Sequence, residues 1–593
     1  MVRRVFFGIW YTADIGGVSV VPRVSLQSVT VIAAALALMT VVAFPVRVPA
    51  AARTTADVQN PALHIPNDMN FIKISAAPIT SATPTKVPLL VVCAAFAGKP
   101  ATKPISVFQN LYFGDHQSVA SYYKQVSYGQ LELTGTVVGD PLHPGHFLPL
   151  PHTEAYYAKT ENGSAGNFPN NDDGIVTDAV HQLLKDRFSF QPYAVNGQIP
   201  YLAIVFSGYG ADVAPGDQTL IWPVESSLQY ALHVPLNGQK IADRMGLKFE
   251  KTSATDDVAT VSSYDLVPEL DDATGDAVTL GVLAHEFGHL LGLMDVYDVS
   301  SDPNAGQGVG PFSLMGTGNW NGFPSGEQPA GLDPLSLEYL GWIKPEVIAE
   351  SETGVLLPPL ETEPVVYRLN PLHDPGEYFL LSNEQAIGVD VALPDTGVFI
   401  WRVDAKAVNP NGYDWQNDVL DAPSMNKSHH YDLAIVGASG KNDLAQPDGD
   451  VTDYQDAYPF AGNHRFTATS KPSNQLFDGG YLGLDVTQIA INRSTKWASF
   501  DVLDTQSGAA LYIPRPASGL TLPVGVPVNL VADYQTGGVT TNVSQAALWS
   551  FPPDAESQGG QVEFMTPGRK TVSVSYRGLA ALINLTVSGD SRL

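Results

Sequence analysis

Cysteine is nearly missing from this chain of 593 residues, which contains only Cys93. A single cysteine cannot form an intrachain disulfide, so stability outside a cell has to come from packing and from bound cations. Cys93 lies in an apolar run, Val87–Phe96, which predicts a buried strand with an inert thiol. The alternative role for Cys93 is that of an inhibitory thiolate on a metal ion.

Positive charge is also scarce. Charged residues make up 16% of the chain, and 32 Lys and Arg stand against 60 Asp and Glu, for a formal net charge of −28. Such an excess of negative charge repels phosphate groups, which excludes nucleic acid as a partner. A hydrophobic content of 44% predicts a folded protein, and the length predicts two to four domains because it exceeds a single core.

Long apolar runs are absent except for one near the N-terminus, Val29–Phe44. Arginines precede this run and small residues follow it, a pattern that predicts a signal peptide over residues 1–52 and secretion. The run is shorter than the roughly 20 residues of a membrane span, although an uncleaved signal anchor would keep the protein at the cell surface. Residues 53–86 are rich in Thr, Pro, Ala and Ser, which predicts a linker or a short propeptide.

The most informative residues are His285 and His289, which enclose Glu286 in an H-E-x-x-H motif. In a helix, residues four apart share one face, so the two imidazoles can bind one Zn²⁺ together. Glu286 can then act as general base on a water at the open side of the metal. The motif predicts the catalytic site of a zinc peptidase, whereas the alternative is a structural histidine pair or a chance match.

A third metal ligand is predicted downstream of the motif. After Gly292, Asp295 completes H-E-x-x-H-x-x-G-x-x-D and stands where the metzincin pattern has its third ligand. Aspartate is an ordinary zinc ligand. Asp298 is the rival third ligand, and otherwise it braces the turn or binds a second cation. Glu327 and Glu338 are further alternatives, as in a His₂Glu site, but no helical spacing connects them to the histidines.

Two more features complete the predicted site. Gly310–Trp320 places Met315 in a glycine-rich turn after the helix, which matches the Met-turn beneath the metal of metzincins. Taken alone, Met315 would be interpreted as a core residue. Stabilising the oxyanion requires another donor, for which Tyr297 and Tyr339 are the candidates.

The distribution of predicted elements indicates a multidomain protein. Helices such as Asp173–Phe188 alternate with strands such as Tyr201–Phe206, which predicts an α/β catalytic domain of zincin type over residues 87–345. Short alternating strands then predict an all-β sandwich over 346–505. Further strands predict an immunoglobulin-like β-sandwich over 506–593.

Several segments together resemble the immune inhibitor A family of secreted bacterial and archaeal metallopeptidases. They are Ser118–Gly135, Leu280–Asp298, Gly310–Trp320, Leu337–Pro345, Glu377–Gln385, Gly397–Asp404 and Asp456–Gly462. The resemblance covers roughly residues 87–505. It implies a zincin-type catalytic domain, one Zn²⁺, structural Ca²⁺, secretion and broad endopeptidase activity on proteins and peptides. Thr566–Gly578 is similar to group 2 bacterial immunoglobulin-like domains.

Calcium has one candidate site in the sequence. It is an acidic cluster whose alternative interpretation is a solvated turn, and its members are Asp443, Asp448, Asp450, Asp453 and Asp456. The region before Val87 is shorter than the propeptides associated with the family, which leaves latency open.

The function expected from the sequence is that of a secreted, monomeric zinc endopeptidase. The C-terminal domains are candidates for attachment to a cell wall or surface. The rival hypothesis is a secreted adhesion or surface-binding protein with a vestigial metal site. The intact set of His285, Glu286, His289 and Asp295 argues against that rival, because a vestigial site has no reason to retain all four.

Overall fold

The structure, a computed structural model, describes most of the chain after the predicted linker. It covers residues 84–589 except 160, 165–166, 215, 237–257, 300–305, 372–375, 405–430, 442, 446–454, 478–479, 506–509, 516–520, 537–538, 559–560 and 578. The predicted signal peptide (1–52) and most of the predicted linker (53–86) lie outside the described residues.

The first region combines a seven-stranded sheet with helices. The strands are β1 (Thr85–Ala95), β2 (Leu131–Val138), β3 (Leu148–Pro149), β4 (Gln198–Ile199), β5 (Leu202–Tyr209), β6 (Val224–Pro235) and β7 (Val258–Leu270). The helices are α1 (Ile105–Phe113), α2 (Val119–Val126), α3 (Glu154–Ala158), α4 (Asp172–Lys185), α5 (Leu280–Leu290) and α6 (Pro334–Tyr339). Short 3₁₀ turns lie at Gln191–Tyr193, Gly310–Phe312 and Thr317–Trp320.

The strands of this sheet follow the order β2-β1-β5-β7-β4, and β3 pairs with β1. These pairings are parallel, whereas β6 runs antiparallel along β7. Strand β1 is apolar from Val87 onward, as expected for a strand that is covered on both faces. Val91 and Cys93 contribute to the core that contains α5, and Leu90 and Val92 contribute to the core beneath α4.

Local sequence explains where several helices begin. Ser118 and Ser121 form a capping box at the start of α2, in which each side chain bonds the other residue's backbone N–H. The Asn171 side chain caps α4 by accepting from Gly174 N, and Asp333 caps α6 by accepting from Ser336 N. Helix α5 lacks a side-chain cap, and its Gly281 N–H bonds instead to the carbonyl oxygen of Gly326.

The second region is built from two sheets. One has the order β13-β12-β11-β10-β8 and the other the order β14-β15-β9. Their strands are β8 (Glu346–Ile348), β9 (Glu352–Leu357), β10 (Tyr367–Leu369), β11 (Glu377–Glu384), β12 (Gly397–Asp404), β13 (Leu433–Ile435), β14 (Leu484–Ile491) and β15 (Ala498–Asp504). Two 3₁₀ turns lie at Gly388–Ala392 and Asp443–Ala445. Side chains from both sheets, among them Leu357, Phe379 and Phe500, form one core.

The first and second regions share hydrophobic packing. The other faces of β11 and β12 contribute Leu380 and Trp401 to the core that also contains Phe287 of α5. The rings of Phe312 and Phe399 lie 4.9 Å apart across this contact. The β-rich region therefore supports the part of the first region that surrounds α5.

The last region contains three small sheets, with the orders β16-β19-β20, β17-β25-β24-β21 and β18-β23-β22. The strands are β16 (Ala510–Arg515), β17 (Thr521–Pro523), β18 (Val528–Asn529), β19 (Val531–Thr536), β20 (Val539–Asn542), β21 (Leu548–Ser550), β22 (Ala555–Gln558), β23 (Gln561–Phe564), β24 (Gly568–Tyr576) and β25 (Leu579–Ser588). Trp549 packs against two small cores, one containing Val572 and Ile583 and the other containing Tyr534.

The prediction of a multidomain chain with a mixed α/β region followed by strand-rich regions is confirmed. The zincin, sandwich and immunoglobulin-like assignments, and the domain boundaries, stay predictions. Among the described helices, none combines the length and the apolar character that a membrane crossing requires.

Glu361, Asp390 and Glu384 form a group of acids, of which Asp390 and Glu384 are buried and Glu361 is half-buried. Burial raises the pKa of Glu361 to about 9 and that of Asp390 to about 7, and it raises the pKa of Glu384 well above its usual value. Each carboxylate raises the pKa of a neighbour further, and the Tyr128 hydroxyl and Asp333 lie close to the same group. In the described part of the chain, none of these acids forms an ion pair.

We expect these acids to make stability depend on pH. A carboxyl whose pKa is raised by folding favours the folded state below its unfolded pKa, near 4, and this contribution is lost as the pH rises through the folded value. Glutamine does not titrate, so Glu361→Gln removes this pH dependence. Because each pKa unit corresponds to about 1.4 kcal/mol, the free energy of unfolding of the variant should rise by about 1–3 kcal/mol relative to that of the natural protein between pH 5 and pH 8. Chemical denaturation at the two pH values measures this gain. Glu350→Gln, at an exposed position, is the matched control, and equal pH profiles of the two variants would contradict the expectation.

Candidate metal centre

Helix α5 presents two histidines to one point. His285 and His289 are one helical turn apart, and their Nε2 atoms lie 3.2 Å from each other. The helix ends at Leu290, and Gly292 adopts φ = +92°, a left-handed conformation that suits glycine and turns the chain back. This turn brings the following residues alongside the histidine face of the helix.

Asp295 completes a triangle of donor atoms. Its Oδ1 lies 3.2 Å from His285 Nε2 and 3.3 Å from His289 Nε2. Ligand atoms at zinc's usual bond lengths in a tetrahedral site are about 3.3–3.4 Å apart, so the three atoms have the spacing of ligands around one ion. Among the described residues, this is the one group of three or more His, Cys, Asp or Glu side chains whose possible ligand atoms all lie within 4.8 Å of one another.

The other ring nitrogens determine which atoms face the centre. His285 Nδ1 donates to the carbonyl oxygen of Leu314 at 2.9 Å, and His289 Nδ1 donates to that of Leu293 at 2.8 Å. Because a carbonyl oxygen can only accept, each neutral ring carries its proton on Nδ1 and its lone pair on Nε2. Both lone pairs point at the position that Asp295 also faces, which is the orientation of metal-binding histidines.

The electrostatics of the triangle favour a cation at its centre. Burial by itself lowers the pKa of His289, but the Asp295 carboxylate raises it to about 10. Burial likewise raises the pKa of Asp295, but the two histidines hold it well below its usual range. Asp295 Oδ1 is buried and accepts no hydrogen bond from the described part of the chain. Two imidazole lone pairs and an unsatisfied carboxylate oxygen fit a divalent metal, and His₂Asp is a donor set that zinc accepts.

Met315, the predicted Met-turn residue, packs against helix α5. It is fully buried beside Gly288, and a Cβ on that glycine would lie 2.7 Å from Met315 Sδ and 3.0 Å from the Tyr123 hydroxyl oxygen. Glycine at this position of the motif therefore allows the turn to approach the helix. The Val296 N–H donates to the Met315 carbonyl oxygen at 2.8 Å, which connects the third-ligand loop to the same turn.

Glu286 lies on the same helix and is 8% exposed. Burial raises the pKa of its carboxyl group, while the histidines and a hydrogen bond from the Glu225 N–H oppose that increase. A carboxyl group with a raised pKa is well suited to accept and return a proton. Because the Glu225 N–H bonds Glu286, this part of β6 lies beside the glutamate.

Two further acids near Glu286 were missed by reasoning from the sequence. Asp265 in β7 is fully buried, and in the described residues neither of its oxygens has a hydrogen-bond partner. It is the cross-strand neighbour of Glu225. The pKa of Asp265 is raised mainly by burial and further by the neighbouring carboxylates of Glu286 and Glu225. Burial raises the pKa of Glu225 to about 7. The available signal was an acid inside an apolar stretch, Tyr264–Val267, which was not predicted to be a strand.

The remaining site candidates lie elsewhere or make other contacts. Asp298 Oδ2 accepts from the Tyr431 hydroxyl at 2.8 Å, which agrees with a bracing role for Asp298. The Tyr297 hydroxyl donates to Asp295 Oδ2 at 3.0 Å, so its proton is directed at the ligand. Tyr339 is 38% exposed on α6. Glu338 lies 3.7 Å from the Arg368 guanidinium.

The predicted calcium cluster can be compared with the structure only in part. Asp448, Asp450 and Asp453 lie outside the described residues. Asp443 begins a 3₁₀ turn and lies 3.8 Å from Lys441 Nζ, and Asp456 is buried with its N–H bonded to Asp395. The calcium site stays a prediction.

A donor triangle with a glutamate on the same helix is characteristic of metallopeptidases. Residues 104–343 match the model of the family described as Immune inhibitor A peptidase M6, catalytic domain. The resemblance to the immune inhibitor A family is confirmed for these residues, which are similar to the metallopeptidases of that family.

Individual relatives agree with the family match. The chain is 25% identical over 249 residues to Immune inhibitor A of Bacillus thuringiensis subsp. alesti. The aligned residues make up 38% of this chain and 31% of the relative. It is also 25% identical over 300 residues to the pre-pro-metalloprotease PrtV of Vibrio cholerae serotype O1 (strain M66-2). This alignment includes 44% of this chain and 29% of the relative. The chain thus spans about a third of the length of these relatives.

Proposed function

We propose that this protein is a zinc-dependent endopeptidase of zincin type that hydrolyses peptide bonds in proteins. The observation that carries the proposal is the donor triangle of His285 Nε2, His289 Nε2 and Asp295 Oδ1 with Glu286 beside it. The family match of residues 104–343 supports it. Asp298 is less suited to be the third ligand because the group of converging ligand atoms contains Asp295 and not Asp298.

Each residue of the site has a distinct role in this proposal. A zinc ion held by His285, His289 and Asp295 would polarise the scissile carbonyl and lower the pKa of a water molecule. Glu286 accepts a proton from the attacking water and returns it to the leaving amine nitrogen. The carbonyl oxygens of Leu314 and Leu293 keep the imidazoles in the tautomer that binds metal.

Strand β6 is suited to hold an extended peptide beside Glu286. In the described part of the chain β6 pairs on one side only, with β7, and the Glu225 N–H on its other edge reaches the Glu286 carboxylate. An extended peptide can add to a strand at the edge of a sheet through main-chain hydrogen bonds, which accept many sequences. We therefore propose that protein substrates bind along this edge, consistent with broad specificity.

The proposal includes secretion directed by residues 1–52 and a monomeric protein. The strand-rich regions 346–505 and 506–593 are proposed to form sandwiches that attach the peptidase to a cell wall or surface. Structural calcium is part of the same proposal. The rival function, an adhesion protein with a vestigial metal site, is disfavoured by the side chains that still converge at the centre.

Metal analysis combined with a protease assay tests the proposal. We expect one zinc per chain, loss of casein hydrolysis when a chelator removes it, and recovery when zinc is restored, because three ligands form one site. His285→Ala should lack both zinc and activity. A protein that binds no zinc, or that hydrolyses casein equally well with chelator, would contradict the proposal. Calcium should be kept constant so that its removal does not imitate the loss of zinc.

A further inference from the structure

We propose that Tyr297 is a positioning residue that orients Asp295 for metal binding, and that it is not an oxyanion donor. This inference rests on the proposed zinc site and assigns a role that the motif does not specify.

The contacts of Asp295 divide its two oxygens between different partners. Oδ1 faces the Nε2 atoms of His285 and His289 at 3.2 and 3.3 Å, and Oδ2 accepts the Tyr297 hydroxyl at 3.0 Å. A hydroxyl has one proton to donate. Because Tyr297 directs that proton to Oδ2, Oδ1 accepts no bond from the tyrosine and is turned towards the imidazoles.

The backbone around Tyr297 is held independently of this hydrogen bond. The Val296 N–H donates to the Met315 carbonyl oxygen at 2.8 Å, and the Val309 N–H donates to the Val296 carbonyl oxygen at 3.0 Å. These bonds position the main chain between the aspartate and the tyrosine. They do not set the rotation of the Asp295 carboxylate about its Cβ–Cγ bond, which is the freedom that the Tyr297 hydroxyl removes.

The Tyr297 ring also lies alongside a second ligand. Its plane is inclined by 22° to the imidazole of His285, with the ring centres 6.3 Å apart. The tyrosine therefore faces two of the three ligands, one through its hydroxyl and one through its ring. Residues that hydrogen-bond metal ligands typically change metal affinity by about 10–100-fold when they are removed.

Tyr297→Phe in the full chain tests this role, because it removes the hydroxyl and keeps the ring. We expect zinc to bind about 10–100-fold more weakly in competition with a chromogenic chelator, and activity to recover as zinc is raised. Tyr367→Phe is the matched control. It removes a hydroxyl that bonds the Leu356 carbonyl oxygen in the β-rich region, and it should retain the natural affinity.

The possible outcomes separate the two roles of Tyr297. Unchanged zinc affinity in Tyr297→Phe would overturn the inference. If turnover of the zinc-loaded variant also fell by about 10²–10³, the hydroxyl would be assigned to the oxyanion instead. Circular dichroism of the metal-free variant should match that of the natural protein, which shows that weaker binding is not a folding defect. Failure of the natural protein to bind zinc would reject the proposed function itself, a result distinct from either outcome.

Discussion

Glu286→Gln is expected to retain one zinc per chain and to lose peptide hydrolysis by a factor on the order of 10²–10⁴. Glutamine has nearly the same size and can still accept the Glu225 N–H, so the helix and the metal ligands should stay in place. It cannot accept a proton from the attacking water, and general acid–base catalysis contributes about this factor. Turnover of a fluorogenic peptide and zinc content, measured on the same preparation, provide the two readings.

Glu338→Gln is the matched control for that experiment. It makes the same chemical change at the partly buried glutamate on α6 that lies near Arg368. Normal zinc content and turnover in this variant would exclude Glu338 as the third ligand of an alternative His₂Glu site. Near-natural hydrolysis by Glu286→Gln would instead remove the general base from the proposal, whatever the metal content.

The second large effect is expected at the third ligand. Asp295→Asn should weaken zinc binding by about 10²–10³-fold, because the binding free energy of a zinc site is distributed over a few ligands at several kcal/mol each. Its carboxylate oxygen lies within 3.3 Å of both imidazole nitrogens, and a neutral amide oxygen is a poorer zinc ligand. Equilibrium competition with a chelator of known zinc affinity measures the change.

Asp298→Asn provides the comparison between the rival ligands. An asparagine at this position can still accept the Tyr431 hydroxyl, so we expect zinc affinity within a few-fold of the natural value. Strong loss in Asp298→Asn with little loss in Asp295→Asn would reverse the assignment of the third ligand. Equal losses in both would indicate that the loop, and not one carboxylate, controls the site.

The parts of the site that depend on local geometry could be predicted from the sequence. His285, Glu286 and His289 occupy one helix, whose periodicity places the imidazoles on one face, and Gly292 reverses the chain with a positive φ. Motif spacing also favoured Asp295 over Asp298, although it left both open. The structure supports Asp295, because its Oδ1 lies 3.2 and 3.3 Å from the Nε2 atoms of His285 and His289.

Other parts of the site depend on contacts between residues far apart in the chain. The carbonyl oxygen of Leu314 that orients His285 comes from another segment, and Asp265 and Glu225 come from the paired strands β7 and β6. Tyr297 was a candidate from its position alone, but nothing in the sequence indicates which oxygen its hydroxyl reaches. The packing of β11 and β12 against the core of α5 could not be predicted either. The alternation of apolar residues in a strand shows which face is buried, but it does not show which element packs on that face.

The amino-acid sequence by itself determined the histidine pair with its glutamate, the mixed α/β character of the first region and the strand-rich character of the later ones. These follow from spacing within single elements, where neighbours in sequence are neighbours in space. The tertiary structure alone decided which aspartate oxygen faces the imidazoles, which buried acids surround Glu286 and how the β-rich region supports the centre. Those features arise when segments separated by tens of residues pack together, and the direction of a side chain across such a contact depends on the whole fold.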